Sequence, residues 1–156
     1  MISRLMLALC LAVALPAAAG TVACPDLAKA NQIAACPTEE ELQYTFTGFC
    51  SDDSRPYKAD VGVCEDYRKY RALKNIALWE SADGQFNAYV SCDRPAAEVK
   101  GAKLTSVRVA RQGKISAVVC GYGEGLSFTH RTRGECRVDA AANCPADPAA
   151  CKASCD

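Results

Sequence analysis

The sequence predicts a disulfide-rich α+β domain: an antiparallel β-meander sheet with one or two short helices packed on one face. Three observations carry that prediction. Eleven cysteines occur in 156 residues, and ten of them follow a short apolar amino-terminal segment, an even number in a chain of one-domain size. Three hairpin connections fall within fewer than sixty residues of the second half. Apolar residues recur at helical spacing in two short segments of the first half.

Met1 to Arg4 is a short positive start, Leu5 to Leu15 is an unbroken apolar run, and Pro16 precedes Ala17-Ala18-Ala19. This reads as a signal peptide over 1–19 with cleavage near Gly20. The run is too short to cross a hydrocarbon core, which takes about 20 helical residues, and no later segment is comparably apolar. A lipoprotein acylated at Cys24 competes with this reading. Thr21 argues against it, standing where a large aliphatic residue is usual, and acylation would leave an odd number of thiols. The mature chain divides into a stapled domain, 20–138, and a cysteine-rich tail, 139–156, packed on it. Export and cysteine density support each other, because disulfides persist in oxidising compartments. All ten of Cys24, Cys36, Cys50, Cys64, Cys92, Cys120, Cys136, Cys144, Cys151 and Cys155 are therefore expected in bridges, whose connectivity spacing alone does not reveal.

Leu27, Ala30, Ile33 and Ala34 fall at helical spacing and predict a short helix between Pro25 and Ala35. Thr38 to Glu41 has the form of a capping box. Tyr44, Phe46 and Gly48 then alternate with threonines, which predicts one helical turn entering a strand. Ser51 to Asp60 is a polar loop. Val63, Tyr67, Tyr70 and Leu73 predict a second helix, with Glu65 and Asp66 in its first turn and basic residues toward its end, as the helix dipole favours. Leu78–Ser81 and Phe86–Cys92 flank Asp83-Gly84, a strong hairpin signal. A second hairpin turns at Gln112-Gly113, and a third at Gly121 to Gly125. Alternation sets Ile115, Ala117 and Val119 on one face of their strand and Leu126, Phe128 and His130 on one face of theirs. In the tail, Asp147-Pro148 is placed to cap and open a helix through Cys151 and Cys155.

Charge is uneven although it sums to zero over the whole chain. Gly20 to Asp93 holds twelve acids and seven bases, whereas Arg94 to Val138 holds nine bases and three acids. Arg108, Arg111, Lys114, Arg131 and Arg133 are the candidate anion-binding residues on the solvated sheet face. The bland alternative is that the acidic and basic halves neutralise one another. Base-stacking aromatics are scarce among these cations, so no nucleic acid is expected.

Candidate chemistry is thin. Metal and thiol-disulfide centres usually draw on Cys-x-x-Cys, which is absent; only Cys144, Cys151 and Cys155 offer convergent soft ligands, so no metal is expected. His130 is the lone histidine, and no Gly-x-Ser-x-Gly elbow presents a nucleophile. Gly121 to Gly125 leads into a strand and so reads as a turn rather than a phosphate loop. Glu39, Glu40, Glu41, Asp52, Asp53 and Glu80 supply carboxylates from which a glycosidase-type pair could be drawn. Tyr44, Phe46, Trp79 and Tyr89, read as strand residues, are candidates for a sugar or peptide groove.

No cofactor is expected. These exclusions favour a non-catalytic binding or inhibitory protein of the bacterial envelope, secreted or periplasmic and without a transmembrane segment. Its expected contact loops are Ser51–Asp60 and Ser81–Gln85, the former acidic enough to enter the cleft of a basic enzyme. Its expected partner is a protein or an anionic envelope component. The alternatives are a small envelope hydrolase with a carboxylate pair and a structural or assembly component.

Overall fold

A computed structural model describes residues 20–51, 61–138 and 144–156. The predicted signal segment, residues 52–60 of the polar loop and residues 139–143 of the tail lie outside them. In chain order the elements are β1 (Gly20–Ala23), β2 (Asn31–Gln32), α1 (Glu39–Cys50), α2 (Val61–Cys64), α3 (Tyr67–Lys74), β3 (Ile76–Glu80), β4 (Asn87–Ser91), α4 (Ala96–Gly101), β5 (Ser106–Gln112), β6 (Ile115–Gly121), β7 (Ser127–Thr132), β8 (Cys136–Val138) and β9 (Lys152–Cys155). The α+β, antiparallel, disulfide-rich class read from the sequence holds.

Six strands form the larger sheet in the order β2-β3-β4-β7-β6-β5. It is two meanders laid side by side, β2-β3-β4 and β7-β6-β5, joined where Asn87 pairs with Thr129. Local chemistry fixes both predicted tight turns, since Gly84 (φ 70°) and Gly113 (φ 59°) occupy backbone space that residues bearing a Cβ enter at a cost. The three-stranded sheet, β1-β9-β8, brings the two ends of the described chain together, Gly20 opposite Cys155.

One face of the large sheet is the core. Trp79, Val90, Val118, Cys120 and Phe128 point into it and meet Leu27, Val99 of α4, and Val22 and Ala153 of the small sheet. Phe128 is fully enclosed, and burying a side chain of that size contributes about 1.5 to 3 kcal/mol. On β6 the inward residues are Ser116, Val118 and Cys120, which turns Ile115 and Ala117 to the opposite face.

Four local predictions are corrected. Residues 25–35 make only a 3-10 turn at Leu27–Lys29, capped by Asp26, before β2 begins. The periodic apolar residues there face different neighbours: Leu27 enters the core, whereas Ile33 bonds along the edge of the sheet, its N–H donating to the Leu78 carbonyl at 2.8 Å. The capping box at Thr38 is present in both arms, but the helix it opens runs on through Cys50 instead of yielding to a strand. Phe46 and Phe49 explain why, packing edge-on and tilted against Tyr67 and Tyr70 of α3 at 5.2 to 5.6 Å, with Cys50–Cys64 locking the end. In the tail, Asp147 caps a 3-10 turn at Pro148–Ala150, and Cys151 and Cys155 then lie on an extended chain rather than a helix. The predicted helix over 63–74 is interrupted at Glu65–Asp66, where the Asp66 carboxylate accepts the Arg68 N–H at 2.9 Å and starts α3 afresh.

All ten cysteines from Cys24 onward are bridged: Cys24–Cys120, Cys36–Cys92, Cys50–Cys64, Cys136–Cys155 and Cys144–Cys151. Cys24–Cys120 staples the first strand region to β6, and Cys36–Cys92 ties the approach to α1 to the end of β4.

Candidate functional site

Two pairs of acids each have an arginine between them. Arg71 of α3 donates from Nη1 and Nη2 to Asp93 at 2.9 and 3.0 Å and from Nε to Glu39 at 3.1 Å. Tyr67 O–H donates to the other oxygen of Glu39, and Asn75 Nδ2 donates to Asp93 at 3.0 Å. The Tyr67 bond and then Arg71 hold the Glu39 carboxyl below its usual range, and Arg71 does the same for Asp93. Desolvation first, and the Glu39 carboxylate second, push the Tyr67 hydroxyl up to about 12. This cluster clamps the helical unit to the sheet; both carboxylates are held ionised, so neither is poised as a general acid. Arg94 likewise lies 3.0 Å from Glu98 and 3.8 Å from Glu124.

The Ser81–Gln85 loop is tied internally. Ser81 Oγ donates to Asp83 at 2.6 Å and accepts from Phe86 N–H at 3.0 Å, while Gln85 N–H reaches the same Asp83 carboxylate at 3.1 Å. The Ser81 bond holds the Asp83 carboxyl below its usual range. Its one acid is thus committed to shaping the turn. His130 closes the other side: Nδ1 lies 3.0 Å from the Gln85 carbonyl, which can only accept, so the proton sits on Nδ1, and the ring tilts against Phe86. That is a structural role for the lone histidine. Among the described residues no cluster of His, Cys, Asp and Glu is arranged to hold a metal.

The candidate anion-binding residues are dispersed. Arg108 and Arg131 both lie on the sheet face opposite the core, Arg108 across from Val119 and Arg131 across from Ala117. Arg131 donates to Asn87 Oδ1 at 3.2 Å. Arg111 falls on the other side of its strand, opposite Ser116, and pairs with Glu135 at 2.9 Å. Lys114 occupies the β5–β6 turn, and Arg133 lies past the end of β7. The aromatic groove expected from Tyr44, Phe46, Trp79 and Tyr89 is not assembled: Tyr44 and Phe46 are on α1, and Trp79 is a core residue only 3% exposed.

Of the four, Tyr44 is exposed on α1 and Tyr89 on the large sheet. Tyr89 is 71% exposed on the open face, paired with Leu78, whose carbonyl in turn accepts from Ile33, itself 55% exposed. Leu78 and Tyr89, directly opposed, share the open face, and Ile33, just past β2, is bonded beside Leu78 at the sheet edge, which makes an apolar row of the three. Flanking it are Asn31, Glu80, Asn87 and Thr129 in the next row, with Arg108 and Arg131 beyond. The sequence carries no sign of this row, since the spacing around Ile33 is helical and a two-residue strand leaves no periodic signal. Comparison with protein-family models, curated proteins and solved structures finds no match. Among the described residues no helix is long and apolar enough to cross a membrane, and the five bridges fit an extracytoplasmic chain.

Proposed function

We propose that this chain is a non-catalytic binding or inhibitory protein of the bacterial envelope, secreted or periplasmic, whose protein partner seats on the open sheet face around Tyr89. The observation that carries the reading is the apolar row Ile33–Leu78–Tyr89 exposed at one end of a polar face. Tyrosine is a frequent interface anchor, offering large area at low cost in side-chain freedom, and a polar rim around an apolar centre is the usual anatomy of a protein contact. Arg108 and Arg131 outnumber Glu80 on this face, which favours a partner with acidic groups around an apolar patch. Five bridges and an internally bonded Ser81–Gln85 turn present the surface already ordered, which lowers the entropy lost on association.

The test begins by recovering a partner from envelope extract on immobilised mature protein, then purifying both and measuring the complex by sedimentation. A stable stoichiometric complex is expected, weakened at least about tenfold by Tyr89→Ala, as for an interface hot spot, and left intact by Tyr44→Ala on α1. Retention of nothing, or a complex indifferent to Tyr89→Ala, overturns the proposal.

A further inference from the structure

On the side of the molecule away from Tyr89 lies a cleft of about 400 Å³, within the range of small-ligand sites. Its floor is Leu104 and Tyr122, core side chains whose edges still reach the surface, alongside the fully buried Leu27. One wall is the segment 24–28 and the facing wall is 145–149. Both are covalently fixed: Cys24–Cys120 anchors the first, and Cys144–Cys151 closes a short loop around the second. A hydrogen bond from Cys24 N–H to the Cys151 carbonyl, 3.1 Å, couples the two walls.

Two polar side chains of the lining are engaged within the fold, and Asp26 is the one acid set against the two lysines of the third side. Tyr122 O–H donates to the Pro25 carbonyl, and the Asp26 carboxylate accepts from Ala28 N–H at 3.1 Å as the cap of the 3-10 turn. Lys100 and Lys103, at the end of α4 and just beyond it, line the third side and make no ion pair among the described residues. An apolar, preordered floor beside two uncommitted ammonium groups is complementary to one kind of ligand. The geometry points to a binding site for a small amphipathic anion, its apolar body over Leu104 between Pro25 and Pro148 and its carboxylate or phosphate head against Lys100 and Lys103. This site is independent of the Tyr89 surface.

Titration of the disulfide-intact mature protein with octanoate, octyl phosphate and octanol, followed by amide NMR shifts, tests it. Saturable shifts centred on Leu27, Leu104 and Tyr122 are expected for at least one anion, the tighter of the two identifying the head group. Octanol should bind about tenfold or more weakly, and Lys100→Gln/Lys103→Gln should cost the anion a similar factor while leaving the melting temperature and octanol binding unchanged. Tyr89→Ala should change nothing. Absence of saturable shifts, shifts centred elsewhere, or an anion affinity equal to that of octanol or insensitive to the double substitution overturns the inference.

Discussion

The guanidinium of Arg71 forks onto the carboxylate of Asp93 at 2.9 and 3.0 Å, joining α3 to the residues that follow β4. Two parallel N–H···O bonds hold orientation as well as distance, which a lysine at this position would not reproduce. Arg71→Lys and Arg71→Ala should therefore both lower the urea midpoint, and Arg68→Ala should matter less, because Arg68 contacts only the nearby Asp66 at a highly exposed site.

The same clamp sets a pH dependence. Glu39 and Asp93 titrate below their ordinary 4.5 and 3.8 in the folded protein, so their stabilisation is complete above those values and is lost as pH falls through the lower folded ones. Tyr67 behaves oppositely: its contribution is present below its ordinary 10.0 and is lost as pH rises toward about 12. The gap in urea midpoint between the natural protein and Arg71→Ala should narrow steadily below about pH 4.5. A gap constant down to about pH 2 would refute the clamp.

Bridge removal should rank by loop length. Cys24–Cys120 spans 96 positions and Cys144–Cys151 only 7, for which chain entropy gives about 4.7 and about 2.5 kcal/mol respectively. Paired Cys→Ala variants, compared by chemical denaturation, should place Cys36–Cys92 between them, with its separation of 56.

Two glycines should respond with opposite signs. A Cβ on Gly134 would collide with the backbone oxygen of Asp156, so Gly134→Ala must displace the carboxyl end of the chain and destabilise it. Gly48, inside α1, has nothing within 4 Å of where a methyl would stand, and Gly48→Ala should stabilise by about 0.5 to 1 kcal/mol. Thermal melts of the two variants settle both signs.

Deleting Lys152–Asp156 should do more than shorten a tail. β9 is the central strand of the small sheet, and its loss strands both β1 and β8 and removes the partner of Cys136. Hydrogen exchange at Val22 and Val138 should lose its protection in the truncated protein.

What the sequence made legible was local. Asp83-Gly84 and Gln112-Gly113 determine their turns within a few residues, and the Thr38 capping box marks the start of α1 to the residue. The alternation of Tyr44, Thr45, Phe46 and Thr47 misleads because the helix is decided by distant rings, Tyr67 and Tyr70, to which Phe46 turns. Six residues anchored by Val99 alone give no period from which to read α4. The apolar row of the open face is hidden for a related reason, since Ile33 meets Leu78 only through a long chain reversal. Likewise, alternation along β5 separates Arg108 from Arg111, but only the pairing of Arg111 with Glu135 shows how the latter is engaged.

The pairing of Gly20 with Cys155 also orders events in time. The β3–β4 hairpin needs only neighbouring residues and can close early, while in the small sheet β1 has no partner until β9, more than a hundred positions later in the chain, is available. Until then Val22 and Cys24 remain uncovered and Cys120 has its core-facing sulfur within reach of wrong thiols. Closure of Cys136–Cys155 is therefore a late step, since Cys155 arrives with β9, whereas Cys50–Cys64 spans only 14 positions and can close without it.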